Sequence, residues 1–222
     1  MSISSTLRAI RSHIPSGVKL VCVSKFHPNE VILQAYEAGE RIFGESKVQE
    51  LCRKQEELPR DISWHFIGHL QTNKVKQIVP FVDLIHGVDS FKLLAEIEKQ
   101  AAKTGRKVNC LLQVHIAQEE TKFGFDEREL RDMLKGGQWR EYKHIALCGL
   151  MGMATFTDNS EQVRREFKSL KKLFDAIKTD FFPDDNSFSE LSMGMSDDYR
   201  IAIEEESTLV RIGTTIFGER EY

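Results

Sequence analysis

Two apolar runs at opposite ends of the chain finish in residues that could share one small ligand. Lys25 directly follows Leu20-Val21-Cys22-Val23-Ser24 and precedes Phe26-His27-Pro28, where Pro28 suits the first turn of a helix. A lysine at a strand's C-terminal end, partly desolvated by apolar neighbours, has its neutral amine favoured and can attack an aldehyde to form an imine. Standing alone, such a lysine more often reaches past the strand to solvent. Leu191-Ser192-Met193-Gly194-Met195-Ser196-Asp197-Asp198 joins a second strand to an amphipathic stretch. Ser196 is placed there to begin a helix, whose free N–H groups and dipole suit a phosphate, and Gly194 allows close backbone approach. Val210-Arg211-Ile212-Gly213-Thr214-Thr215 ends a third strand, and Gly213 and Thr214 add backbone and hydroxyl donors. Ser196 reads equally as an ordinary helix cap, and Asp197 and Asp198 set negative charge against an anion.

Other reactive side chains carry less. His65 and His69 are four apart, as metal ligands on a helix would be, but residues 64–68 read as strand, where four residues span roughly 13 Å. One ion cannot bridge that, so no metal site is expected. Lys122 follows the fifth strand and reads either as touching a cofactor or as a solvated loop lysine. Cys22, Cys110 and Cys148 lie in apolar runs and Cys52 in a helical stretch, without a CxxC pair, which fits buried reduced thiols.

The elements that must hold these residues are legible as eight short runs rich in Val, Ile, Leu and Phe: residues 19–24, 41–44, 63–68, 83–88, 108–114, 145–151, 188–193 and 209–214. Their polarity does not alternate, so both faces are expected to be buried, as in a parallel sheet with crossover helices. Between them, Ser90 can cap a helix carrying Phe91, Leu94, Ile97 and Ala101, with Gly105 ending it. Asp158 and Glu161 resemble a capping box before a helix whose apolar face runs from Val163 to Phe181. Its Arg164-Arg165 and Lys171-Lys172 pairs, interleaved with acids, read as a wet face. Residues 1–14 are expected to add a helix before the first strand. The expected fold is α/β: one (β/α)8 TIM-type barrel domain over residues 1–222 with an extra N-terminal helix, an open doubly wound sheet being the competitor. A chain of 222 residues, 41% hydrophobic and 29% charged, suits that size. Its net charge of -3 gives no general attraction to nucleic acid or anionic membrane. With neither a signal-peptide run nor a stretch of roughly 20 apolar residues, a cytoplasmic protein is expected.

Val23-Ser24-Lys25, Phe43-Gly44-Glu45, the run from Trp64 to Gln71, Gly149-Leu150-Met151, Leu191 to Asp198 and Arg211 to Gly218 occur in order across nearly the whole chain. In these motifs the sequence resembles the pyridoxal phosphate homeostasis protein family, itself similar in fold to the barrel domain of bacterial alanine racemase. The resemblance implies that Lys25 binds pyridoxal 5'-phosphate (PLP) through an imine. It also implies that Ser196, Gly213 and Thr214 hold the phosphate and that Arg211 faces the pyridine nitrogen. An arginine there disfavours protonation of that nitrogen and makes the ring a weak electron sink. Two positions depart from the family: Ser46 and His115 stand where asparagine is frequent.

The resemblance implies a protein that keeps PLP as a protected imine and hands it on, with apo PLP-dependent enzymes as candidate recipients, in vitamin B6 and amino-acid homeostasis. No catalytic residue is assigned. An amino-acid racemase needs a second acid/base group opposite the lysine; in alanine racemase a tyrosine of a C-terminal β-domain supplies it, and this sequence runs only to Tyr222. Tyr199 or Tyr222 would have to substitute. A cofactor-free Schiff-base lyase would leave the phosphate segments to a sugar phosphate. Lacking that β-domain's dimer contact, a monomer is expected.

Overall fold

The structure, a computed structural model, describes residues 2–118 and 123–219. Eight strands among them close into a barrel in chain order, all parallel: β1 (Lys19–Val23), β2 (Ile42–Glu45), β3 (Ser63–Phe66), β4 (Leu84–Val88), β5 (Val108–Gln113), β6 (Ile145–Met151), β7 (Glu190–Ser192) and β8 (Leu209–Ile212). β8 returns to β1 with Val21 beside Arg211 and Cys22 beside Ile212. Each expected apolar run is a strand, and closure decides against the open sheet.

Both faces of the wall are buried. Leu20, Cys22, Phe43, Trp64 and Phe66 turn outward under the helices, whereas Val21, Leu84, Leu111, Cys148, Met151 and Leu209 fill the barrel. The alternation is therefore one of destination rather than polarity, as expected for a parallel sheet covered outside and packed inside.

The helices are α1 (Ile3–Arg11), α2 (Asn29–Glu37), α3 (Val48–Glu57), α4 (Val75–Ile78), α5 (Phe91–Thr104), α6 (Glu127–Gly136), α7 (Ser160–Phe181), α8 (Tyr199–Glu204) and α9 (Thr214–Phe217). α1 precedes β1. Ser90 Oγ accepts from Leu93 N–H to cap α5, and Gly105 ends that helix in the left-handed conformation. Two expectations are corrected by one residue each. Asn159, not Asp158, caps α7 by accepting from Gln162 N–H, because the chain becomes helical at Ser160. Pro28 precedes α2 in an extended conformation instead of lying in its first turn. No helix of the described residues is long and apolar enough to cross a membrane.

Candidate functional site

Lys25 occupies the turn immediately after β1, half-buried at the end of the barrel where the strands terminate. Both peptides flanking it are tied down. The Ser24 carbonyl accepts from His27 N–H at 3.1 Å and from Lys54 Nζ at 2.8 Å. On the other side Phe26 N–H donates to Glu50 Oε1 at 2.7 Å. Phe26 has φ 68°, a left-handed conformation uncommon for a bulky side chain. The surrounding bonds are what hold it there.

Those bonds come from a charged cluster between the barrel wall and α3. Lys54, with no exposed surface, bridges Glu45 at 2.8 Å and Glu50 at 2.7 Å, and Ser24 Oγ donates to Glu45 Oε1 at 2.6 Å. Glu45 Oε2 is buried with no hydrogen-bond partner among the described residues. Burial raises the Glu45 carboxyl to about 7, with Lys54 and Ser24 pulling it back and Glu50 pushing it further up. Sequence reasoning quoted Glu45 within a motif but did not see this clamp. The available signal was the four-residue spacing of Glu50 and Lys54 on one helical face.

At the opposite chain end, Ser196, Gly213 and Thr214 meet. Ser196 Oγ accepts from Gly213 N–H at 3.2 Å and lies 3.2 Å from Thr214 Oγ1. Ser196 does not start a helix, as the sequence suggested. α8 begins three residues later, at Tyr199, and Asp198 spends its carboxylate accepting from Met195 N–H at 2.6 Å. The helix start beside Ser196 is instead that of α9, with Gly213 in the cap position. Gly213 is there because β8 crowds β1: a Cβ would lie 3.0 Å from the Val23 carbonyl oxygen. Gly194 has φ +91°, and its Cβ would fall 2.5 Å from that of Ala202. Beside this cradle opens a cleft of about 510 Å3 lined by Met195, Asp197, Asp198 and Phe156. Ser196 lies beyond the end of β7, Gly213 and Thr214 beyond β8, and Lys25 and the left-handed Phe26 turn beyond β1, three strands that are consecutive in the barrel wall.

Arg211, buried on β8, sits two residues before Gly213. Its Nη1 donates to Ser192 Oγ and its Nη2 to the Gly152 carbonyl at 3.1 Å. Burial lowers the guanidinium to about 10 and Asp198 opposes that shift, so it remains charged at neutral pH. Ser192 Oγ also lies 3.0 Å from His86 Nδ1, and His86 Nε2 lies 3.0 Å from His65 Nδ1. His86 was missed in the sequence; its mark is a histidine inside the apolar run Leu84-Ile85-His86-Gly87-Val88.

The remaining candidates do not join this group. His69 turns to Asp89, at 2.9 Å, and stacks on Phe123, so His65 and His69 have different partners. His115 lines a separate cavity of about 400 Å3 with Glu127 and Arg165. Ser46 backs onto Gly68, where a Cβ would lie 2.5 Å from the Ser46 carbonyl oxygen. Tyr199 is buried among the outer helices, with its hydroxyl accepting from Arg200 Nε at 3.3 Å. On α7, Arg164 pairs with Glu204 and Glu205, and Lys171 with Asp175 and Glu206. The four cysteines are unpaired, and burial raises the Cys22, Cys110 and Cys148 thiols. Lys122 and Tyr222 lie outside the described residues.

The donor set suits PLP. Two hydroxyls and a backbone N–H gather around Ser196 Oγ, groups that could turn to a phosphate; a guanidinium, which only donates, lies two residues before Gly213; and an amine stands at the neighbouring strand end.

Comparison with known proteins agrees. A family model described as the alanine racemase N-terminal domain matches residues 2–221. The pyridoxal phosphate homeostasis protein of Aquifex aeolicus is 41% identical over 205 residues, covering 92% of this chain and 88% of that protein. That of Schizosaccharomyces pombe is 36% identical over 228 residues, covering 99% and 93%. Among solved structures, PipY of Synechococcus elongatus superposes with a TM-score of 0.92 without PLP and 0.90 with PLP bound. In both it is 36% identical and covers 98% of this chain and all of that one. An alanine racemase of Clostridium difficile shares the fold, with a TM-score of 0.78 at 12% identity, over the whole of this chain and 60% of its own.

Proposed function

The chain belongs to the alanine racemase N-terminal domain family and, within it, to the pyridoxal phosphate homeostasis proteins, and from that premise we propose that it is a one-domain cytoplasmic carrier of PLP, held as an imine on Lys25. The observation that carries this reading is the convergence of Ser196 Oγ, Gly213 N–H and Thr214 Oγ1 at the end of β8, the strand bonded to the one that Lys25 follows. Ser196, Gly213 and Thr214 hold the phosphate; Arg211 faces the ring nitrogen; Lys25 anchors the aldehyde carbon. Bound PLP supplies an electrophilic aldehyde and a conjugated ring. Because Arg211 stays charged, it keeps the ring nitrogen unprotonated, which weakens the ring as an electron sink and suits storage better than carbanion chemistry. Handing PLP to apo enzymes, in support of vitamin B6 and amino-acid homeostasis, is the role this implies. A racemase would need an acid/base group facing Lys25, and Tyr199 is committed to the outer core.

The test is an absorption spectrum of purified protein with PLP, followed by borohydride reduction and peptide mapping. Wild type is expected to show a visible imine band and to retain the reduced adduct on Lys25. Persistence of the band at full intensity in Lys25→Ala would overturn the assignment. Incubation with L- or D-alanine and chiral analysis checks the absence of racemisation, which turnover of about 1 per second would contradict. Carriage itself requires that the loaded protein restore apo PLP enzymes faster than an equal amount of free PLP.

A further inference from the structure

A file of buried side chains runs across the barrel interior behind Arg211. His65 on β3, His86 on β4, Ser192 on β7 and Arg211 on β8 meet in series, with 3.0 Å between His65 Nδ1 and His86 Nε2 and 3.0 Å between His86 Nδ1 and Ser192 Oγ. β4 and β7 are not neighbours in the barrel, so the His86–Ser192 contact crosses its interior. All four residues are buried. The far end, His65, lines a cavity of about 260 Å3 at the opposite mouth with Lys19, Asp83 and Glu190.

The direction of these bonds follows from their chemistry. A guanidinium only donates, so Ser192 Oγ accepts from Arg211. Burial keeps both imidazoles neutral, with one N–H each. Dipoles next to a buried cation are stabilised when their negative ends face it. Ser192 then donates to His86 Nδ1, His86 Nε2–H donates to His65 Nδ1, and the last N–H points toward the far cavity. No carboxylate is bonded into this file, so it orients the guanidinium without an ion pair; Asp198 acts on Arg211 by its charge alone.

We propose that His86 and His65 are positioning residues for Arg211: as an oriented neutral relay they fix its guanidinium against the ring nitrogen of PLP and thereby set the proton affinity of the Lys25 imine. This rests on the reading of Arg211 given above, and two measurements keep the two apart. In cofactor-free protein, nitrogen-15 NMR of the imidazoles is expected to show both histidines as neutral Nε2–H tautomers between pH 5 and 8, a range lying above their burial-lowered titration. An Nδ1–H tautomer on His86 would overturn the relay whatever the protein binds. In PLP-loaded protein, the pH midpoint of the imine band is expected to move by about half a unit or more in His86→Leu and in the smaller change Ser192→Ala. His86→Asn, whose carbonyl oxygen can replace Nδ1 as acceptor, is expected to return it toward wild type. A wild-type midpoint in folded Ser192→Ala and His86→Leu would sink the proposal. If the band instead survives in Lys25→Ala, it is the cofactor reading that falls, and the tautomers still decide the relay.

Discussion

Two buried polar groups serve this site in opposite ways. Behind Lys25, outside the barrel wall, Lys54 is shared between two carboxylates and bonds the backbone of Ser24, while Glu50 bonds the backbone of Phe26. Behind Arg211, inside the barrel, the hydrogen-bonded file is made of neutral groups, and the Asp198 carboxylate acts on the cation only through its charge. The contrast matches what each residue would need in the proposed role. Lys25 must be placed, and placement is a matter of backbone, which strong charge-assisted bonds fix well. On the proposed reading Arg211 must be aimed while keeping a positive field, and neutral hydrogen-bond partners aim it without offsetting that field, which Asp198 offsets only in part. The two groups also respond to pH with opposite sign, which makes them separable by experiment.

Removing Lys54 should have the largest effect. Lys54→Met leaves the buried Glu45 and the half-buried Glu50 without their counter-charge, and a loss of about 3–5 kcal/mol in denaturant unfolding is expected. A comparable loss from Arg211→Met would erase the distinction between a clamp held by charge and a relay held by dipoles.

The pH response comes next. Glu45 rises from 4.5 to about 7 on folding, so its contribution to stability is complete below 4.5 and is lost as pH climbs through about 7. His65 falls from 6.5 to about 3, and His86 shifts the same way, so their contribution is complete above 6.5 and is lost as pH drops through the folded values. Between pH 4.5 and 6.5 the two therefore oppose each other. Glu45→Gln is expected to steepen the rise of stability with pH there by about 1.4 kcal/mol per pH unit, and His65→Asn to flatten it by as much. Denaturant curves across that range check both, and unchanged slopes would place these groups outside the buried clusters.

Cofactor retention should respond more weakly. Ser196→Ala or Thr214→Val each removes one hydroxyl from a cradle of three donors, worth about 1.5–2 kcal/mol toward a charged phosphate. PLP release, followed by loss of the imine band, should then be about tenfold faster or more in each. The smallest effect lies far from both groups. Asn159→Ala should lower stability by about 1 kcal/mol through loss of the α7 cap, and Asp158→Ala should do much less.

Much of the frame was legible because it depends on local patterns. Apolar runs marked all eight strands, and Ser90 and Gly105 bounded α5, since a cap acts on its own first or last turn. Where two neighbours could both cap, as with Asp158 and Asn159, the choice depended on where the chain turned helical. Ser196 does meet Gly213 and Thr214, as expected of segments following the seventh and eighth strands, but the expected helix start at Ser196 is absent. The residue meets the start of α9, eighteen residues from Thr214, rather than starting α8.

The amino-acid order determined the strand count, the parallel crossover pattern and the placement of Lys25, Arg211, Gly213 and Thr214 at strand ends, because these follow from periods of a few residues. Closure of the barrel, the Lys54 clamp and the His65–His86–Ser192–Arg211 file were decided only in three dimensions. Within the file the partners lie up to 106 residues apart, and the barrel seam joins residues from opposite ends of the chain, Val21 beside Arg211. Whether a histidine or lysine in such a chain is solvated or buried, and charged or neutral, depends on which distant strand or helix comes to face it.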